Sequence, residues 1–192
     1  GQVFGSSMDK LDFLHNSPLE KVFAKHLRPF HIVGVSALDI QLAIPLANPS
    51  SSFVRGNIDF INNHLTADSY KLDLNHLNGR LMFDKQGIQA KNIKVDLAGT
   101  PLVLEIETLD HSGGRSFAFY ADAQVSHKQI DSLLTNFVGQ PNIGDHLSGN
   151  THLKANLLVP VEPSEPARPI KLTLASELKG LRVDLPKPAN KT

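Results

Sequence analysis

One segment of this chain occurs twice, and the repetition limits what the chain can fold into. Gly34 is followed by Leu38, Ile40, Leu42, Ile44 and Pro45; Gly149, 115 residues later, is followed by Leu153, Ala155, Leu157, Val159 and Pro160 at the same offsets. Each copy alternates apolar with mostly polar or small residues, the pattern of a strand with one buried face. Pro closes a strand but does not sit inside a ladder, so both copies stop at the same structural point. A helix start precedes each. Ser17-Pro18-Leu19-Glu20 offers an N-cap, Pro at the first helical position and Glu three residues on; Ser126-His127-Lys128-Gln129 offers the same cap with Gln. The chain therefore reads as a helix-then-sheet unit over residues 1–125 that begins again as a partial unit over 126–192, about one and a half repeats.

Between the copies the sequence reads as strand and turn. A helix over Pro18 to Leu27 is ended by Pro29, and a second spans His127 to Val138 with Ile130, Leu133, Leu134 and Phe137 on one side. Val54 to Phe60 alternates and Asn62-Asn63 reads as a turn. Lys71 to Leu74 and Leu77 to Phe83 read as separate strands, with a turn at Asp84 to Gly87. Ile93, Val95 and Leu97 form the next row; Leu102, Leu104 and Ile106 follow Gly99-Thr100-Pro101, and Ser112-Gly113-Gly114 makes a hairpin into Phe117 and Phe119. Ile170 to Leu174 and Leu181 to Leu185 complete about ten strands. Short, evenly spaced strands with tight turns predict an antiparallel sheet. Two short helices do not cover a sheet that wide, so its remaining apolar face packs on a second sheet, closes into a barrel, or lines an open groove.

Composition removes whole classes of function. Lys plus Arg equals Asp plus Glu at 19 each, which leaves no electrostatic footprint for nucleic acid. No apolar run reaches the roughly 18 residues of a membrane-spanning helix. The absence of Cys excludes disulfides, thiol catalysis and zinc–thiolate sites. Glu105 and Glu107 sit two apart on one strand, a solvated face and not a glycosidase pair across a cleft. Asp110-His111-Ser112 has the letters of a triad, but triads are assembled from separated segments, and these residues precede a Gly-Gly turn. The nine His show no ligand spacing: His26 and His31 flank Pro29, and His146 and His152 straddle Ser148-Gly149 without a third ligand. The expectation is a protein that is not an enzyme and holds no metal or cofactor.

Several stretches together carry a likeness: Phe13-Leu14-His15-Asn16-Ser17-Pro18-Leu19, the Gly34-to-Pro45 strand with Leu46, Leu77-Asn78-Gly79-Arg80-Leu81-Met82-Phe83, Ala98-Gly99-Thr100-Pro101-Leu102, and Ser176 to Pro186. Over roughly Phe13 to Lys187 the chain resembles the periplasmic repeats of the YhdP-like group of AsmA-type proteins, relatives of the TamB bridge proteins. The resemblance implies a long, twisted, open antiparallel sheet forming a hydrophobic groove, the repeating β-groove, with a β-sandwich as the alternative. It also implies an excised periplasmic piece of an inner-membrane-anchored protein that carries phospholipid to the outer membrane. Its partners would then be phospholipid acyl chains and flanking repeats of the same polypeptide, with membrane contact only through parts outside this chain.

A spare apolar face and a lipid conduit meet at one set of side chains. Burying a CH₂ is worth roughly 0.8 kcal/mol, so an acyl chain leaving a bilayer needs an apolar surface, not specific contacts. The expected lining is Leu38, Ile40, Leu42, Ile58, Phe60, Leu81, Phe83, Val95, Leu102, Leu104, Phe117, Phe119, Leu153, Leu157, Leu172 and Leu174. A face-to-face sandwich, serving as a spacer or interaction module in a large envelope protein, is the competing expectation.

Overall fold

A computed structural model of the chain describes residues 2–9, 30–43, 53–68, 71–112, 114–138, 147–161 and 169–183. Its strands are β1 (Gln2–Ser6), β2 (His31–Ala43), β3 (Phe53–Ala67), β4 (Leu72–Asp84), β5 (Gly87–Leu97), β6 (Thr100–His111), β7 (Gly114–Ser126), β8 (Leu147–Pro160), β9 (Lys171–Ser176) and β10 (Leu181–Val183). All ten lie in one antiparallel sheet, and β1 to β8 follow one another in space as they do in sequence. β9 and β10 lie on the same edge of β8, pairing with Leu153–Leu158 and Leu147–Gly149 respectively. They are one edge strand, interrupted at Glu177–Gly180. The sheet is open, and among the described residues no second sheet packs on it. The sandwich alternative is therefore not the arrangement found.

The helix α1 (His127–Val138) occupies the predicted residues. Its start is a capping box: Gln129 Oε1 accepts from Ser126 N at 2.8 Å, and Gln129 N donates to Ser126 Oγ at 3.4 Å. The predicted helix over Pro18 to Leu27 falls outside the described residues, as do Ile44 and Pro45 at the end of the first copy. Both copies of the duplicated segment lie in strands, β2 and β8. β1 was not expected from the sequence; it pairs with β2 from Gln2↔Asp39 to Ser6↔Val35.

A second departure explains how the sheet bends. Asn62-Asn63 is not a turn but a β-bulge inside β3, and the two stretches read as separate strands are one strand, β4, joined through bulged residues. Asn62, His76 and Asn92 have φ of 51°, 54° and 56°, and Gly34 has φ of 126°. The four positions lie on β3, β4, β5 and β2, so the bulges form a line across neighbouring strands. Each shifts the alternation by one residue: the apolar face carries Ile58 and Phe60 before Asn62 but Asn63, Leu65 and Ala67 after it. Bulges increase local twist and bend. Asn side chains satisfy the displaced backbone groups, since Asn63 Oδ1 accepts from Ile61 N at 2.8 Å and Asn78 Oδ1 accepts from Asn62 N at 2.8 Å. The feature returns in the second copy: Gly149 has φ of 99°, and Leu178 on the facing edge has φ of 56°.

The bend gives the sheet an inside. Phe83 on β4 shares a buried cluster with Phe117 on β7 and Leu38 on β2. Three strand spacings of flat sheet would separate Phe83 from Phe117 by about 14 Å, so the sheet curls toward this face. At the curled end the β5–β6 ladder gives way to a side chain. Thr108 Oγ1 accepts from Ile88 N at 2.8 Å and donates to Ile88 O at 2.9 Å.

Candidate functional site

Strand register gathers the apolar side chains into rows that cross the sheet. One row runs Leu38–Ile58–Leu81–Ala90–Ile106–Phe119–Leu157–Leu172, each residue directly opposite the next, through eight strands from β2 to β9. Seven spacings make it about 34 Å long. On one side of it lies Ile93–Leu104–Ala121–Ala155–Leu174. On the other lie Ile40–Gly56–Phe83–Ile88 and Phe117–Val159. Val95 faces Leu102 across β5 and β6. Phe60 on β3 and Leu153 on β8 complete the face. Leu42 is placed by register opposite Val54, and its side chain lies outside the described residues. Leu42 apart, the sheet thus brings the expected lining residues to one face.

Burial along that face is graded. Leu38 is 3% exposed, whereas Leu172 at the far end of the same row is 49% exposed and Leu174 46%. The apolar side chains are packed most deeply along β2 to β7 and lie open to solvent at β9. Gly56 makes room for Phe83: a Cβ there would lie 2.6 Å from Phe83 Cζ. Ile32, Leu65, Leu74, Leu77, Ala90, Ile93 and Ile106 also lie in or against the buried cluster. The expected lining omits them. Where a bulge changes the phase, a strict period of two assigns one strand's residues to opposite faces. The signal that marks the phase change is an Asn or His in the middle of a strand, residues that tolerate a left-handed backbone better than most.

The opposite face carries paired polar groups beside exposed apolar residues, among them Val33, Ile61, Met82 and Val103. Arg80 holds Asp59 with two bonds, Nε–Oδ1 at 2.6 Å and Nη2–Oδ2 at 2.8 Å, and this contact raises the guanidinium's affinity for its proton. Tyr120 donates to Glu107 at 2.7 Å, which pushes its phenol above the ordinary tyrosine value. His152 lies 2.9 Å from Asp122. The residues with triad letters are engaged elsewhere: the hydrogen bond from Arg115 holds Asp110 below the usual carboxylate value, and His111 Nε2 bonds Ser116 Oγ at 2.9 Å. Among the described residues no group of three or more His, Asp or Glu is placed to hold a metal. No described helix is long and apolar enough to cross a membrane.

One face of the sheet thus gathers the buried apolar side chains, and the reverse carries paired polar groups with exposed apolar residues between them. No curated protein and no solved structure matches the chain. The sequence model of the family described as YhdP protein matches residues 1–192, and the chain belongs to that family of AsmA-like envelope proteins.

Proposed function

We propose that this chain is a non-enzymatic segment of a lipid-transfer bridge, in which phospholipid acyl chains lie in the apolar groove on their way between the inner and outer membranes. The observation that carries the reading is the row from Leu38 to Leu172: eight consecutive strands contribute an apolar residue at one level, with no charged group interrupting it. A methylene chain displaced along such a row exchanges one CH₂ contact for another, each worth roughly 0.8 kcal/mol, so no position traps it. The graded burial places accessible apolar surface at β9. On this reading the segment works in the periplasm as part of an inner-membrane-anchored protein, and flanking repeats of the same polypeptide extend the groove.

The test is site-specific photocrosslinking in cells. A photoreactive residue replaces Leu81, Phe119 or Leu157 on the apolar face, or Arg80, Met82 or Tyr120 on the reverse. Phospholipid adducts, read by mass spectrometry, are expected from the first set alone. Equal labelling from both faces, or none from the groove, overturns the proposal and leaves a structural spacer.

A further inference from the structure

At one rim of the groove the first turn of α1 meets the β5–β6 hairpin. Gln129 Nε2 donates to Gly99 O at 3.0 Å, a contact between elements 30 residues apart in sequence. α1 packs on β7 and β8, and Ile130 reaches the buried apolar cluster. Beside this contact is Thr100, 1% exposed, whose Oγ1 has no hydrogen-bond partner. It sits on the apolar face, opposite Leu97. A buried hydroxyl without a partner favours any state that lets it bond.

We propose that α1 is a lid on this rim, hinged at the β7–α1 junction, and that the groove loads through its opening. The proposal rests on the lipid reading above and adds the element that gates it. Two features hold the lid down: the apolar contact of Ile130 and the Gln129–Gly99 hydrogen bond. One feature opposes closure. When α1 lifts, the Thr100 hydroxyl gains water or an ester oxygen of an entering lipid as a partner, so opening relieves the one polar group that closure leaves unsatisfied there. Gln129 serves twice, in the cap of α1 and in the latch, so the helix start and the closed position are held by one side chain.

Two substitutions move the equilibrium in opposite directions. Thr100→Val keeps the shape and removes the hydroxyl, and Gln129→Ala removes latch and cap together. A twelve-residue helix lifted off the sheet is marginal in water, so hydrogen exchange of the α1 amides in the whole chain reports the opening. Uptake of a fluorescent phospholipid from vesicles of phosphatidylethanolamine and phosphatidylglycerol reads loading. T100V is expected to slow α1 exchange by roughly 5-fold, the ratio for one hydrogen-bonding group, and Q129A, which loses latch and cap together, to speed it by roughly 5-fold or more. Probe uptake is expected to follow the same order. If T100V leaves α1 exchange unchanged or speeds it, the lid is refuted, whatever the uptake. If exchange responds as expected and the unmodified chain takes up no lipid, the lid stands and the lipid reading falls.

Discussion

The line of bulges that curls the groove is anchored at Asn63, and its removal has a calculable cost. Asn63 is fully buried; its Nδ2 donates to Ser7 Oγ at 2.7 Å and more weakly to Val33 O at 3.4 Å, while its Oδ1 accepts from Ile61 N at 2.8 Å. Asn63→Ala loses two good hydrogen bonds, at about 1 kcal/mol each. It also strands the buried Ser7 hydroxyl for about 1 more, a total near 3 kcal/mol. In urea, with a slope of about 2 kcal/mol/M, the midpoint should fall by about 1.5 M. Gly34 faces the same side chain, and a Cβ there would lie 2.6 Å from Asn63 Nδ2. Gly34→Ala should therefore cost about 3 kcal/mol, from overlap and from the backbone at φ of 126°. Because part of that overlap is with the amide, the double variant should be milder than the sum by about 1 kcal/mol or more. Asn63→Asp adds a pH signature. A buried carboxylate beside the Val33 carbonyl has its folded pKa raised, so this variant should be nearest the wild type below about pH 4 and weaken as pH rises toward 7. Strict additivity of the pair, or an Asn63→Ala cost below about 0.5 kcal/mol, would refute the claim that this contact braces the bend.

Other expectations are simpler. Gly56→Ala should destabilise by more than about 2 kcal/mol, because its Cβ would press on both Phe83 and the Asp39 carbonyl; a melt near the wild type would show that Phe83 is not confined there. Arg80→Ala should leave the urea midpoint close to the wild type, since its pair with Asp59 is exposed to solvent; a clear drop in midpoint would mean that the reverse face bears structural load. Tyr120 should ionise above the ordinary tyrosine value. The stability its bond to Glu107 contributes is complete below about pH 10 and lost as pH rises through the raised value. With no Trp and two Tyr in the chain, phenolate absorbance reads this directly, and the Tyr120→Phe variant should lack the late step.

The difference between what was legible in the sequence and what was not is clearest around residues 60 to 80. Leu38, Ile40, Ile58, Phe83, Phe117 and Phe119 were assigned to one face because alternation holds between bulges. Leu65 and Leu74 escaped because one extra residue at Asn62 or His76 puts them out of phase with Phe60 and Leu77 on the same strands; Ile93 shares a row with Val95, and its place in the lining shows only once Leu104 stands opposite it. The expectation of a turn at Asn62-Asn63 had a sound local basis, since Asn favours left-handed backbone in turns. In β3 the same preference serves a bulge, and only the pairing partner separates the two outcomes. β1 escaped for a similar reason: its five residues carry too little pattern, and its place is set by β2.

The sequence by itself determined that this is a one-faced, mainly β chain with a duplicated strand, a capped helix at His127–Val138 and no Cys for thiol chemistry. These properties rest on composition and on periods of two and 3.6, which are local and survive in any arrangement of strands. Tertiary structure decided that the described strands join one sheet, that its bulges align across β2 to β5, and that Phe83 and Phe117 share one buried cluster. Those outcomes depend on which backbone groups and side chains stand opposite one another on separate strands, and a period read along one strand does not contain its neighbour's register.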